Sequence, residues 1–169
     1  TITLDAAGNA TVTTPTLNTN STYTLVSVMA SGTLACSQSQ TGSATVIVVP
    51  LPTAAIAGTT TICSGSTTTI TFSGTPNATV TYTVDSGANQ TITLDASGNA
   101  SVTTPALTSD STYSLVSVAS AGTLSCSQLQ TGSAIVSVIS LPTATISGST
   151  TICSGGTATI SFTGTPNAI

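Results

Sequence analysis

Residues 67–84 read TTTITFSGTPNATVTYTV. Two runs of strict alternation, Thr67–Ser73 and Thr79–Val84, flank the breaker Gly74-Thr75-Pro76-Asn77. Alternate side chains of a β-strand point to opposite faces, so Ile70, Phe72, Val80, Tyr82 and Val84 share an inner face and the threonines face outward. Glycine, proline and asparagine between two such runs mark a turn. The segment therefore predicts two consecutive antiparallel strands with one buried side each.

The same grammar continues on both sides. Strands are expected near Ala54–Ala57, Gln90–Leu94, Ala100–Thr104, Tyr113–Ala119 and Ser133–Ile139, separated by Asp85-Ser86-Gly87, Asp95-Ala96-Ser97-Gly98-Asn99 and the stretch from Pro105. Ile92 and Leu94 join the inner face. Seven short strands spaced by turns in about 90 residues predict an antiparallel β-sandwich. No stretch carries helical periodicity.

The unit repeats. TITLDAAGNA from Thr1 recurs as TITLDASGNA from Thr91, and LPTAAIAGTTTICSG from Leu51 recurs as LPTATISGSTTICSG from Leu141. The offset is 90 throughout, and about 55 of the 79 comparable positions are identical. Self-similarity at a fixed period is the mark of a tandem array. Leu51-Pro52 and Leu141-Pro142 are the expected joints, because proline donates no ladder bond and stiffens a short connection. Residues 51–140 then form one complete repeat, 1–50 the back part of the preceding one and 141–169 the front of the next. The chain reads as a stretch of something longer.

Composition narrows the function. The 169 residues include no Lys, Arg, His or Trp, and the only charged side chains are Asp5, Asp85, Asp95 and Asp110. Without cations there is nothing to neutralise phosphates, so nucleic-acid binding and polybasic membrane contact are excluded. Without histidine or lysine the usual nucleophile and base pairings cannot be built. The expectation is a non-enzyme with no cofactor and no metal. At 39% apolar residues and a net charge of −4, the chain does not have the composition of a disordered segment. No apolar run is long enough to span a membrane as a helix.

Several residues deserve separate readings. Leu107 stands six residues before Tyr113, which opens the sixth strand, as Leu17 stands before Tyr23. This pattern suits the tyrosine corner of immunoglobulin-like sandwiches, with Tyr23 and Tyr113 as architectural residues. Cys36 and Cys126 are equivalent by the repeat, as are Cys63 and Cys153. Without a CxxC spacing or a histidine, a zinc site is not expected. The favoured reading is a Cys63–Cys126 disulfide within one repeat, with Cys36 and Cys153 pairing to copies outside the 169 residues. The alternative is a bond between neighbouring repeats that locks the joint, since in immunoglobulin-like wiring the two positions lie at opposite ends. Asp85 and Asp95 sit in turns, where they are expected to cap backbone N–H groups rather than bind calcium. Asn9, Asn20, Asn77, Asn89 and Asn99 stand in N-x-S/T sequons. Asp110-Ser111-Thr112 resembles a short O-glycosylation signal of the Bacteroidetes, making Ser111 a candidate. Outward threonines suit a chain that lacks charges to place there.

The Leu51-Pro-Thr-Ala54 joint, Thr61-Ile-Cys-Ser-Gly65 before the second strand and Cys126-Ser-Gln128 before the last resemble a known family. It is the tandem immunoglobulin-like repeats of giant Bacteroidetes cell-surface proteins, which include the SprB-type gliding-motility adhesins. The resemblance covers the whole chain. It implies export by type IX secretion, an extracellular location at the bacterial surface, and a long filament that adheres to a surface or polysaccharide substratum. The expected partners are neighbouring repeats of the same chain and other copies in a filament. The alternative is a set of spacer or carbohydrate-binding modules in a secreted multidomain protein.

Overall fold

A computed structural model describes all residues, 1–169, and contains only strands, turns and loops. The chain divides into two compact units, Thr1–Pro50 and Leu51–Ile169. The first holds β1 (Ser21–Thr24), β2 (Ser27–Met29), β3 (Ser37–Ser39) and β4 (Ser43–Val46), with β1 antiparallel to β4 and β2 antiparallel to β3.

In the second unit β5 (Ala54–Ala57), β6 (Thr60–Cys63), β7 (Thr69–Gly74), β8 (Thr79–Val84) and β9 (Gln90–Thr93) come first. They are followed by β10 (Asn99–Thr103), β11 (Ser111–Ala119), β12 (Ser127–Leu129) and β13 (Ser133–Ile139), then β14 (Ala144–Ser147) and β15 (Ser161–Gly164). Residues 54–139 form two sheets, one ordered β10-β7-β5 and the other β6-β13-β11-β8-β9, with β12 beside the far half of β11. Every pairing is antiparallel except β6 with β13, which is parallel.

The core lies between these sheets. Ile70 and Phe72 from β7, Val80 and Tyr82 from β8, Leu94 just after β9, Tyr113, Leu115 and Val118 from β11, and Ala134 and Val136 from β13 are buried together. Val84 and Ile92 are half-buried at its margin. The alternation expected for 67–84 thus holds residue by residue, and all seven expected strands are present within a residue or two.

Two departures have local causes. The first strand breaks in two and changes sheets at Gly58, which has φ +125°. A Cβ there would come within 2.8 Å of the Thr69 carbonyl oxygen, so only glycine lets β7 approach this closely. Strand β11 carries a bulge between Leu115 and Ser117 in its pairing with β8. One extra residue shifts the alternation, so Leu115 and Val118, three positions apart, both point inward.

Pairings within residues 1–50 and 141–169 match pairings within 51–140 at an offset of 90. Tyr23 faces Ala44 as Tyr113 faces Ala134, and Ile146 faces Phe162 as Ile56 faces Phe72. Side-chain bonds follow the same offset. The Thr53 N–H donates to Thr75 Oγ1 at 2.9 Å, and the Thr143 N–H donates to Thr165 Oγ1 at 2.9 Å.

Candidate functional site

The four aspartates are the only residues of charged type in the chain, and each side chain is engaged by the fold. Asp95 Oδ1 accepts the backbone N–H groups of Ser97 at 2.8 Å and Asn99 at 2.9 Å, closing the turn into β10. Asp5 does the same for Ala7 and Asn9. Asp110 Oδ1 accepts the Val138 N–H at 2.7 Å, and its counterpart Asn20 accepts the Val48 N–H at 2.8 Å. Aspartate and asparagine favour such local bonds because their short side chains reach nearby backbone donors.

Asp85 has the most demanding position. It sits in the tight turn after β8 with φ +51°, followed by Ser86 at +59°, and Gly87 N–H closes the turn on the Val84 carbonyl at 2.8 Å. Asp85 Oδ1 accepts the Thr112 N–H at 2.7 Å, and Oδ2 accepts the Ser111 hydroxyl at 3.0 Å. The Asp85 N–H donates to the Thr112 carbonyl at 2.8 Å. Three bonds therefore fasten this turn to the start of β11.

That clamp bears on Ser111. Its side chain is 4% exposed, with the hydroxyl directed at Asp85. The folded chain does not present Ser111 to a glycosyltransferase, and attachment of a sugar would require the start of β11 to be undone first. The Asp-Ser-Thr signal is thus sequestered because Ser111 occupies an inward position of the strand.

Tyr113 is buried beside Tyr82, with ring centroids 6.5 Å apart and planes at 26°. Burial pushes the Tyr113 phenol up, opposed by a hydrogen bond with Ser111 and reinforced by the charge of Asp85. Burial also raises Tyr82, whose hydroxyl donates to Gln90 Oε1 at 3.1 Å. Leu107 packs against the core and bridges to Ser66. Tyr23, the counterpart in the first unit, is exposed.

The cysteines correct the expected pairing. All four are free thiols. Cys63 closes β6 opposite Ile139, the last residue of β13, whereas Cys126 precedes Ser127, the first residue of β12. Both β12 and β13 run antiparallel to β11, so the two cysteines are separated by roughly 40 Å at about 3.3 Å per residue. A disulfide needs Cα atoms within about 7 Å, so Cys63 and Cys126 of one sandwich cannot bond. The parallel pairing of β6 with β13 puts Cys63 at the opposite end from Cys126. Cys36 and Cys153 lie 90 positions from Cys126 and Cys63 in the sequence.

What remains is surface. On the smaller sheet Thr69 faces Thr103, Thr71 faces Ser101 and Ser73 faces Asn99, all exposed. On the larger sheet Thr79 faces Thr93, Thr81 faces Thr91 and Thr83 faces Ser114. A shallow cavity of about 260 Å³ opens at the Asp85 end, lined by Tyr82, Gln90, Val102, Pro105 and Leu107 among others. Its two tyrosines, Tyr82 and Tyr113, are buried, leaving no exposed aromatic platform for a sugar. The joint forms the last feature. Pro52 is fully buried, and Gln128 Nε2 donates to its carbonyl oxygen at 2.7 Å. Sequence reading gave Gln128 no role, because nothing local links it to a residue 76 positions away.

No protein-family model matches the chain, and a search of curated proteins finds no match.

Proposed function

We propose that the chain is a structural stretch of a long extracellular surface filament, built from tandem immunoglobulin-like repeats of 90 residues and serving adhesion and gliding. The observation that carries this reading is the recurrence of one strand register at an offset of 90, in parts of three successive copies. Arrays of near-identical domains in contact only with their neighbours make extended fibres. The strand wiring supports the immunoglobulin-like assignment, with sheets β10-β7-β5 and β6-β13-β11-β8-β9 and a first strand that crosses from one to the other.

The chemistry is that of a scaffold. The carboxylates serve as turn and strand fasteners, the tyrosines are buried, and the outward faces carry hydroxyls instead of charges. A carbohydrate-binding module would need a stacking surface, and Phe72, Tyr82 and Tyr113 of the complete repeat are all inside. A bond across the joint is the disulfide arrangement compatible with cysteines at opposite ends of the sandwich.

Electron microscopy of source cells labelled with an antibody to residues 51–140 tests the proposal. Label strung along thin surface threads is the expected result. Even label over the envelope, or label confined to the medium, overturns it.

A further inference from the structure

The cavity of about 260 Å³ at the Asp85 end is built wholly from residues 82–113 of the complete sandwich. Each sheet supplies one wall, Val84 lying on β8 of the larger sheet and Val102 on β10 of the smaller. Pro105 and Leu107, from the connection after β10, complete the apolar lining. Val84, Val102 and Leu107 are half-buried against the core, and part of each faces the cavity.

The polar side of the cavity offers acceptors and negative charge. The Ser111 hydroxyl gives its proton to Asp85 Oδ2 at 3.0 Å, and the Tyr82 hydroxyl gives its own to Gln90 Oε1 at 3.1 Å. A hydroxyl has one proton and two lone pairs, so both oxygens remain only as acceptors. Asp85 Oδ1 takes the Thr112 N–H at 2.7 Å. An ionised carboxylate has about four lone-pair sites, so open sites remain. Asp85 is exposed, and the chain has no Lys, Arg or His side chain to fill them.

We propose that this cavity binds a primary alkylammonium group, with the charge on Asp85 and the alkyl chain between Val84, Val102, Pro105 and Leu107. An ammonium carries three donors and no acceptor, the complement of what the polar side presents. A guanidinium fork prefers two free oxygens of one carboxylate, and both Asp85 oxygens are already engaged. A bare metal ion leaves the apolar walls unused, and an exposed carboxylate alone holds a cation weakly. Because the site lies inside one repeat, it is independent of how repeats are joined and of where the fibre stands.

Titration of the isotope-labelled 169-residue chain with n-butylammonium, followed by amide chemical shifts, tests this. Saturable shifts at Val84, Val102 and Leu107 are expected, with a Kd on the order of 1 mM for so small a ligand. Methylammonium has the charge without the chain and should bind at least about tenfold more weakly. The neutral isostere n-butanol has the chain without the charge and should also lose at least about tenfold. Asp85→Asn should weaken butylammonium by about tenfold or more, while Asp110→Asn, outside the cavity, leaves its affinity unchanged. A parallel titration with Nα-acetyl-lysine amide identifies the source of the amine. Binding at the same amides assigns the site to lysine side chains of other proteins, and butylammonium binding alone assigns it to free amines. No saturable shift at the cavity, equal affinity for butanol or methylammonium, or full affinity in Asp85→Asn would each overturn the proposal. The three small ligands are compared on the wild-type chain, so the outcome does not depend on how Asp85→Asn folds.

Discussion

Gln128 Nε2 reaches back 76 residues to the Pro52 carbonyl oxygen, at 2.7 Å. The bond ties the joint to the first residues of β12, and Pro52 itself is packed out of solvent. A linker held in this way enters the sandwich in one direction. Gln128→Ala removes the donor and leaves a carbonyl unpaired in a partly buried place, which costs about 1–2 kcal/mol. Urea unfolding should show this as a lower midpoint with an unchanged slope.

The Asp85 clamp predicts an order of substitutions. Asp85→Ala loses the bonds to Ser111 and Thr112 and places alanine at φ +51°, for a total of about 2–3 kcal/mol. Asp85→Asn keeps an acceptor oxygen and tolerates the left-handed conformation, so it should cost less than half as much. Equal losses in urea unfolding would show that the carboxylate charge, rather than its geometry, holds the turn.

Asp110 offers a milder contrast already written into the chain. Asn20 makes the same bond to Val48 that Asp110 makes to Val138, with an amide oxygen in place of a carboxylate oxygen. Asp110→Asn should therefore change stability by no more than about 0.5 kcal/mol, while Asp110→Ala costs about 1 kcal/mol. Thermal unfolding of the two variants side by side checks this.

The thiols give a direct chemical readout. Alkylation of the native chain without reductant should modify Cys36, Cys63 and Cys153 readily and the half-buried Cys126 more slowly. Peptide mapping should find no Cys63–Cys126 crosslink. Such a crosslink would require β6 to leave β13.

Stability should fall in alkali. Burial raises the phenols of Tyr82 and Tyr113 above their ordinary value of 10.0 in the folded chain. An acid whose folded pKa is raised binds its proton more tightly when folded. Its contribution is therefore complete below about pH 10 and is lost as pH rises through the folded values. Ultraviolet titration should show two tyrosines ionising together with loss of the strand signal. Ionisation of Tyr82 and Tyr113 at the ordinary value, with the fold intact, would contradict their burial.

Much of this architecture was readable from alternation alone. Ile70, Phe72, Val80 and Tyr82 follow the period of two without interruption, and their burial matches it. Strands β6 and β12 were not readable. Thr60-Thr-Ile-Cys63 carries one clear apolar residue, and Ser127-Gln-Leu129 is three residues long, so neither shows a period. The bulge in β11 depends on how β8 lies against it, which is tertiary information. The cysteine pairing failed for a related reason. Spacing along the chain does not say at which end of a sandwich a residue stands, and here the parallel pairing of β6 with β13 decides it. The Asp110-Ser111-Thr112 signal is plain in the sequence, but the inward turn of Ser111 depends on where β11 begins.

That parallel pairing has a mechanical consequence. Chain enters the sandwich ahead of β5 and β6 and leaves it after β13, so tension along the polypeptide drags β6 one way and β13 the other. Thr60 to Cys63 lie alongside Val136 to Ile139 in the same direction. The ladder bonds between them lie across the pull and are loaded all at once in shear, where a hairpin would open them one by one like a zipper. Failure under force is governed by the rate of unfolding rather than by equilibrium stability. This four-residue seam is accordingly the element that must rupture before residues 54–139 can stretch, a catch that yields abruptly.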